Sequence, residues 1–465
     1  MRNSGGPERR GIEGSGRLVG ARLPGANRRP KTISTTGVVL FLISLMYGIT
    51  YIDRVNVSAA ASVLQKDLHL TNTQFGLVFS AFAYPYLIFT VFGGWLSDRF
   101  GARKALTLSA VIWGTATLLT GLVSTLGAIL VARVMLGLGE SATFPIATRA
   151  MSDWMPAGRR GFAQGITHSS SRLGAALTPP LVAGLIAVTS WRGAFIVLGI
   201  ISLGWAFLWG HYFRDDPSTH RRVTAQELES LPTYSQRSEA KRSRVPWLPL
   251  ILRMLPVTGV YFCYGWTLWL YLAWIPSFFL HSYGLDLKTS ALFSAGVFLA
   301  GVVGDTLGGT ISDRILLKTG DRNKARRDLV VGGFLCSVAA MGPILFLRSA
   351  IPAAICLSLA FFFSEFTIGP MWTIPMEIAP EYSGSASGLM NIGSPLAAVV
   401  SPLIFGYVID KTGNWSLPFL GSMGLLLLGS ILAFWMKPGK RFAEVAFDRS
   451  PAAGIEPKVH NHRLP

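Results

Sequence analysis

Five ionisable residues stand inside otherwise apolar stretches: Asp53, Arg54, Arg133, Glu140 and Arg172. Such a group near a bilayer centre costs roughly 2.5–3.5 kcal/mol or more, so it usually faces a cavity and usually works. Asp53 and Arg54 lie about sixteen residues into one apolar stretch and Arg133 about six residues into another that runs the opposite way; at about 1.5 Å rise per residue the three reach similar depth. Glu140 follows Arg133 by two helical turns and points the same way. An arginine supplies a fixed cation whose planar donor fork fits a carboxylate. A carboxylate beside it can carry a proton. Together these are the parts of proton-coupled anion uptake: Asp53 and Glu140 carry the protons, and Arg54 and Arg133 hold the anion. The structural alternative is a set of static ion pairs, with Arg54 free to snorkel towards the interface.

A second cluster, Gln164, His168, Ser171 and Arg172, falls at helical spacing on one face. Arg172 either binds substrate, with His168 and Ser171 beside it, or neutralises a carboxylate from the first or fourth span. Three arginines against Asp53 and Glu140 leave one positive charge, or two once a proton binds, which favours a dianion over a monoanion. Asp305 and Glu365 also lie within apolar stretches, with no role assigned. Cys263, Cys336 and Cys356 have neither metal-site nor disulfide spacing. We expect no cofactor and no metal, a proton as coupling ion with sodium as the variant, and a monomer.

The elements that must position these residues are membrane helices. Half of the 465 residues are hydrophobic and 14% are charged, against about 25% in soluble proteins; the mean hydropathy is +0.44. Twelve stretches approach the roughly 20 apolar residues that span a bilayer: 37–60, 73–96, 104–124, 127–150, 161–188, 192–212, 254–280, 290–312, 327–347, 352–376, 385–409 and 415–436. The fold class is therefore an all-α membrane protein of twelve helices in two six-helix bundles, since unsatisfied backbone is not tolerated in lipid. The net charge of +18 invites a nucleic-acid reading. Counting by loop removes it. With the N-terminus inside, five basic residues fall in external loops (Lys66, Arg192, Lys288, Arg348 and Lys411) and three in spans, and the other 34 of the 42 are cytoplasmic. The expectation is a bacterial inner-membrane protein with both termini cytoplasmic, whose partners are the lipid bilayer and a small organic anion. Its parts are a basic arm (1–35), a bundle (36–213), a cytoplasmic loop (214–253), a second bundle (254–437) and a tail (438–465). Enzyme activity is not expected: no HExxH, GxSxG or paired-His motif is present.

The halves repeat each other weakly. Gly93-Gly94-Trp95-Leu96-Ser97-Asp98-Arg99 follows the second span and Gly308-Gly309-Thr310-Ile311-Ser312-Asp313-Arg314 the eighth. Pro156 precedes the fifth span as Pro380 precedes the eleventh. Such repeats suit transporters whose halves rock about a central site. The run Gly94 to Lys104, with Asp98, Arg99 and Gly101, resembles the loop signature of the major facilitator superfamily. There the resemblance implies a charge latch, formed by Gly94, Asp98, Arg99 and Gly101 and, in the second half, Asp313 and Arg314. Tyr51-Ile52-Asp53-Arg54-Val55-Asn56, Arg133 to Glu140 followed by Phe144-Pro145, and Phe79 to Tyr86 resemble the anion:cation symporter family. That family includes bacterial transporters of galactonate, glucarate and hexuronates and animal vesicular carriers. The resemblance implies secondary active proton symport of an organic anion, a hexuronate, aldonate or aldarate, by alternating access. It further implies that Tyr51, Tyr86, Trp372 and Asn391 contact the hydroxylated body of the substrate. The alternative is an exporter of a drug or metabolite by proton antiport.

Overall fold

The computed structural model describes residues 34–70, 72–231, 245–285 and 287–442. The basic arm, most of the tail and the middle of the central loop lie outside these residues. Among the described residues every regular element is a helix.

In chain order the long elements are α1 (Thr35–Ala59), α2 (Asn72–Phe100), α3 (Ala102–Thr120), α4 (Leu126–Ser141 continued by Thr143–Trp154), α5 (Arg160–Val188) and α6 (Trp191–Tyr212). After the central loop come α7 (Trp247–Tyr283), α8 (Leu287–Thr319), α9 (Leu329–Met341, entered through a π-turn Asn323–Asp328), α10 (Ala350–Glu365 continued by Ile368–Ile378), α11 (Ser383–Asn391 continued by Gly393–Thr412) and α12 (Leu417–Ala433). Ten stretches are long and apolar enough to cross a bilayer. The Ala- and Thr-rich α3, of 19 residues, and α12, of 17 residues, complete the twelve. The expected spans are all present. Several helices continue into the loops: α7 begins seven residues before the expected start at 254 and runs for 37 residues.

Local chemistry sets the ends. Ser34, Thr125 and Ser190 cap α1, α4 and α6 by accepting from Gly37, Ala128 and Gly193 amides at 3.1, 3.3 and 3.0 Å. Gly101, at φ +90°, ends α2 and opens α3 in a conformation that side chains rarely adopt. In the central loop a capping box of Thr224 and Glu227 starts the short helix Ala225–Ser230.

Within the first bundle α1 packs on α5, α2 on α4 and α3 on α6; in the second, α7 packs on α11, α8 on α10 and α9 on α12. Between bundles, α5 crosses α8 closely, and α2 lies along the first segment of α11. Gly161, Gly309 and Gly369 make the crossing, since a Cβ on Gly309 would fall 2.0 Å from the Gly161 carbonyl oxygen. Among the described residues α1 and α7 make no extended packing, and α2 meets the second segment of α11 only slightly. The bundles are thus closed at one end and parted at the other. Both chain ends of the helical region belong to the closed end. Thr35 donates to the Arg222 carbonyl of the central loop at 2.8 Å, and Arg253 at the start of α7 donates to the Met436 and Lys437 carbonyls beyond α12, each at 2.8 Å. Large apolar side chains such as Phe41, Ile88, Phe207, Leu292 and Ile351 cover the outside, where lipid is the solvent.

Candidate substrate and proton site

The helices are irregular where the polar residues sit. The regular turns of α4 are interrupted at Ala142, two residues after Glu140, those of α10 at Phe366 and Thr367 just after Glu365, and those of α11 at Ile392 just after Asn391, while the chain keeps right-handed helical dihedrals through each point.

At the first of these points Arg54 Nε donates to Glu140 Oε2 at 2.5 Å, joining α1 to α4. Glu140 is fully buried, and the Arg54 side chain keeps 16% exposure. The guanidinium carbon sits 4.7 Å from the Tyr86 ring centroid, 4.9 Å from Tyr51, 5.1 Å from Phe144 and 5.6 Å from Phe82. These rings favour a cation through their faces and keep water away. Arg54 Nη2 and Glu140 Oε1 are buried without a hydrogen-bond partner among the described residues. Arg133 lies 5.1 Å from the same Phe82 ring and donates to the Val78 carbonyl at 3.3 Å. It makes no ion pair among the described residues, and its Nη1 is unpartnered.

Asp53 does not share this space. It is fully buried and turned to α6, where Ser202 donates to it at 2.7 Å. Adjacent residues on a helix point about 100° apart; here Arg54 faces the aromatic rings and Glu140, and Asp53 faces Ser202 of α6.

The second cluster corrects the expected partner of Arg172. Its carboxylate comes from neither α1 nor α4. It comes from Glu365 on α10, in the other bundle, at 3.0 Å. Arg172 also donates to Tyr51 at 3.0 Å and Tyr264 at 3.1 Å, and Tyr264 donates to Glu365 Oε1 at 2.8 Å. One guanidinium therefore joins α5, α1, α7 and α10. The charge count changes with it: the membrane arginines face Asp53, Glu140, Glu365 and Asp305, three against four. His168 lies among Tyr47, Phe144 and Trp372, with ring centroids 5.1, 5.7 and 5.2 Å away, and its Nε2 has no hydrogen-bond partner among the described residues. Ser171 spends its hydroxyl on its own helix, donating to the His168 carbonyl at 2.6 Å. Trp372 donates to Tyr261 at 3.1 Å, and Asn391 ties α11 to Thr90 of α2 at 2.9 Å. Tyr51, Tyr86, Arg54, Phe144, Arg172, His168 and Trp372 thus form one connected surface. Ser171 and Asp53 stand behind it, and Asn391 lies on the α2–α11 contact.

At the closed end two carboxylates bridge the bundles in the same way. Asp98 accepts from the Gly384 and Ser385 amides at 3.0 and 2.6 Å, the second and third residues of α11. Asp313 accepts from the Gly161 and Phe162 amides at 3.0 and 2.7 Å, the second and third residues of α5. Each acid acts as an N-cap supplied by the other bundle, where the helix dipole favours negative charge. Gly94 allows the approach, because a Cβ there would lie 2.1 Å from the Gly384 carbonyl oxygen. The basic members differ from expectation. Arg99 and Arg314 are exposed; Arg99 rests on Trp95 and Phe100 at 5.8 Å each. The cations at the acids are Arg149, 3.8 Å from Asp98 and 3.4 Å from Asp153, and Arg326, 2.9 Å from Asp313 and 3.1 Å from Glu377. Sequence reasoning passed over these four residues, yet a signal existed: Asp153 and Glu377 each stand three residues before the repeated prolines Pro156 and Pro380.

This arrangement has known counterparts. The pattern described as Major Facilitator Superfamily matches residues 43–396. The probable sulfoacetate transporter SauU of Cupriavidus necator is 48% identical over 407 residues, 87% of this chain and 95% of that protein. The hexuronate transporter of Bacillus subtilis is 30% identical over 85% of this chain and 92% of its own length. Among solved structures, the proton:xylose symporter XylE matches with a TM-score of 0.69 at 16% identity, covering 89% of this chain and 100% of that one. FucP in the outward conformation matches with a TM-score of 0.63 at 14% identity, covering 87% and 99%. Twelve helices in two repeated bundles, paired acids capping opposite helices and relatives matched over nearly their full length converge on one family, and the chain is a multi-pass membrane transporter that belongs to the Major Facilitator Superfamily.

Proposed function

We propose that this protein imports a small organic dianion together with protons, by alternating access between the two bundles. The observation that carries the reading is the pair of guanidiniums on one tyrosine. Arg54 of α1 lies 4.9 Å from the Tyr51 ring centroid, its Nη2 without a hydrogen-bond partner among the described residues, and Arg172 of α5 donates to the Tyr51 hydroxyl at 3.0 Å. Two cations flanking one aromatic ring present two ends to a ligand with two anionic groups. The first candidate is sulfoacetate, a short molecule with a sulfonate at one end and a carboxylate at the other, because the relative at 48% identity is named a probable sulfoacetate transporter. Aldarates are the second, through relatives named probable galactarate/D-glucarate transporters at 29% and 27% identity.

Glu140 supplies the proton step. An anion that takes Arg54 leaves Glu140 buried without its cation, and a proton then replaces the arginine. Return of the arginine after release of the anion frees that proton. The described state is parted at the end away from the termini, which under the positive-inside rule is the outer side. An importer loads there.

Purified protein in liposomes with an inward proton gradient should accumulate labelled sulfoacetate. Glu140→Gln should retain sulfoacetate exchange and lose accumulation. Accumulation by Glu140→Gln at the native level would remove Glu140 from the coupling. Uptake that follows a sodium gradient and ignores the proton gradient would change the ion, and outward transport against entering protons would favour the exporter.

A further inference from the structure

The internal repeat sets Glu365 nearly where Glu140 stands. Glu140 lies sixteen residues before Pro156 and Glu365 fifteen before Pro380, and each stands within two residues of a local irregularity in its helix. Each also holds one arginine: Arg54 on Glu140 and Arg172 on Glu365. The second acid has a companion that the first lacks in this form. Asp305 of α8 is fully buried, neither of its oxygens has a hydrogen-bond partner among the described residues, and α8 lies directly against Glu365: a Cβ on Gly301, one turn before Asp305, would fall 3.0 Å from Glu365 Cγ. Ionised carboxylates only accept, so a direct hydrogen bond between the two needs a proton on one of them. Arg172 and Tyr264 already occupy both Glu365 oxygens.

The counterpart position shows what is missing. Thr90 on α2 lies 215 residues before Asp305, the same offset that relates Asp98 to Asp313. Thr90 receives a hydrogen bond from Asn391 across the bundle boundary at 2.9 Å. Asp305, also on a boundary helix, has an acid in place of the hydroxyl and no donor. Nor can it readily turn to water. A Cβ on Gly165 would lie 2.3 Å from the Asp305 carbonyl oxygen and one on Gly304 2.4 Å from that of Phe362, so α5, α8 and α10 touch backbone to backbone here. The charged and titratable groups around the pair are few. α5 gives Arg172, with His168 one turn away among aromatic rings; α7 gives Tyr264; α10 gives Glu365. Arg326, from the π-turn against the far end of α8, is engaged by Asp313 and Glu377. One guanidinium thus serves two buried carboxyls, leaving one negative charge unless a proton is bound.

We propose that Asp305 and Glu365 form a second proton site, in the C-terminal bundle, with one proton on Asp305 donated to Glu365 and Arg172 as the group that controls its release. Resting on the anion-symport reading, the sequence is as follows. The entering dianion draws Arg172 away from Glu365, and the acid pair, now without a cation, keeps its proton. When the anion has left on the inner side, Arg172 returns to Glu365 and Asp305, reached there by water, gives up its proton; Asp305 takes up another once the bundles part outside again, which restores the protonated pair of the described state. A second proton would travel with each anion, bound in the other bundle from the one at Glu140.

The first test needs no substrate. Isotope-edited infrared spectra of the protein in lipid, with carbon-13 aspartate, should show a protonated aspartyl carbonyl component near neutral pH that disappears in Asp305→Asn and persists in Glu140→Gln. A spectrum of Asp305→Asn with the same protonated aspartyl intensity as the unmodified protein would overturn the site. Asp305→Thr, which copies the counterpart residue Thr90, is the second variant if the first does not fold, and its spectrum is read the same way. The second test measures protons moved per labelled sulfoacetate from reversal potentials in liposomes. The count should fall by one in Asp305→Asn with exchange retained; an unchanged count would remove the site from coupling. If sulfoacetate is not moved by the unmodified protein, the substrate reading fails, and the infrared result still decides the acid pair.

Discussion

Arg54 and Arg172 do different things with the same functional group. Arg54 sits among four aromatic faces with one carboxylate, while Arg172 bridges the bundles through Glu365, Tyr51 and Tyr264. Their substitutions should therefore differ. Arg54→Lys keeps the charge and loses the fork. If a charged hydrogen bond is worth about 1.5–3 kcal/mol, dianion affinity falls roughly 10- to 100-fold, which sulfoacetate titration by calorimetry would measure. Undiminished affinity would exclude Arg54 as the contact. Arg172→Gln should weaken binding of diacids more than of matched monoacids, by about tenfold in competition assays, because only the diacid loses its second cation. Equal losses would mean that Arg172 serves Glu365 alone.

Among the elements, the two carboxylate caps are the parts that must open. Asp98 on the start of α11 and Asp313 on the start of α5 hold the closed end, each through two backbone amides of the opposite bundle. Losing such a cap costs about 1 kcal/mol, close to a fivefold change in the ratio of closed to open molecules. Spin labels at Ala157→Cys and Leu317→Cys, both exposed at the closed end, should report a longer distance component in Asp98→Asn and again in Asp313→Asn. Arg314→Gln is the contrast: Arg314 is exposed, and its removal should leave the distribution unchanged. An equal effect in all three would mean that general charge, not the caps, holds the end shut.

At the scale of the whole molecule, the asymmetry of basic residues predicts which way the closed end faces. With the 34 cytoplasmic lysines and arginines inside, a single cysteine at Asn414, between α11 and α12, should react with an impermeant reagent added to intact cells, and one at Ser218 only after permeabilisation. Both positions are exposed. The reverse pattern would invert the orientation and, with it, the direction of loading.

The span positions, the two-bundle architecture and the membrane charges were legible from sequence because each follows from a one-dimensional quantity: the run length of apolar residues, the offset between repeats, and the cost of a charge in lipid. The recurrence of Asp98 and Asp313 at the same place after equivalent helices was legible too; that each caps a helix of the opposite bundle was not. Nor was partner choice. Arg172 and Glu365 are 193 residues apart, and nothing in their spacing says that α5 and α10 meet. Only the glycine-lined crossing of α5 with α8 and α10 brings them within 3.0 Å. The same holds for Arg149 and Arg326, which do the work expected of Arg99 and Arg314 because a helix presents a side chain by its rotation in the packed bundle as well as by its position in a motif. Asp53 and Arg54 show the rule most simply. Sequence gave them one depth, and the 100° turn between neighbours on α1 sent one to Ser202 behind and the other to the gap between bundles.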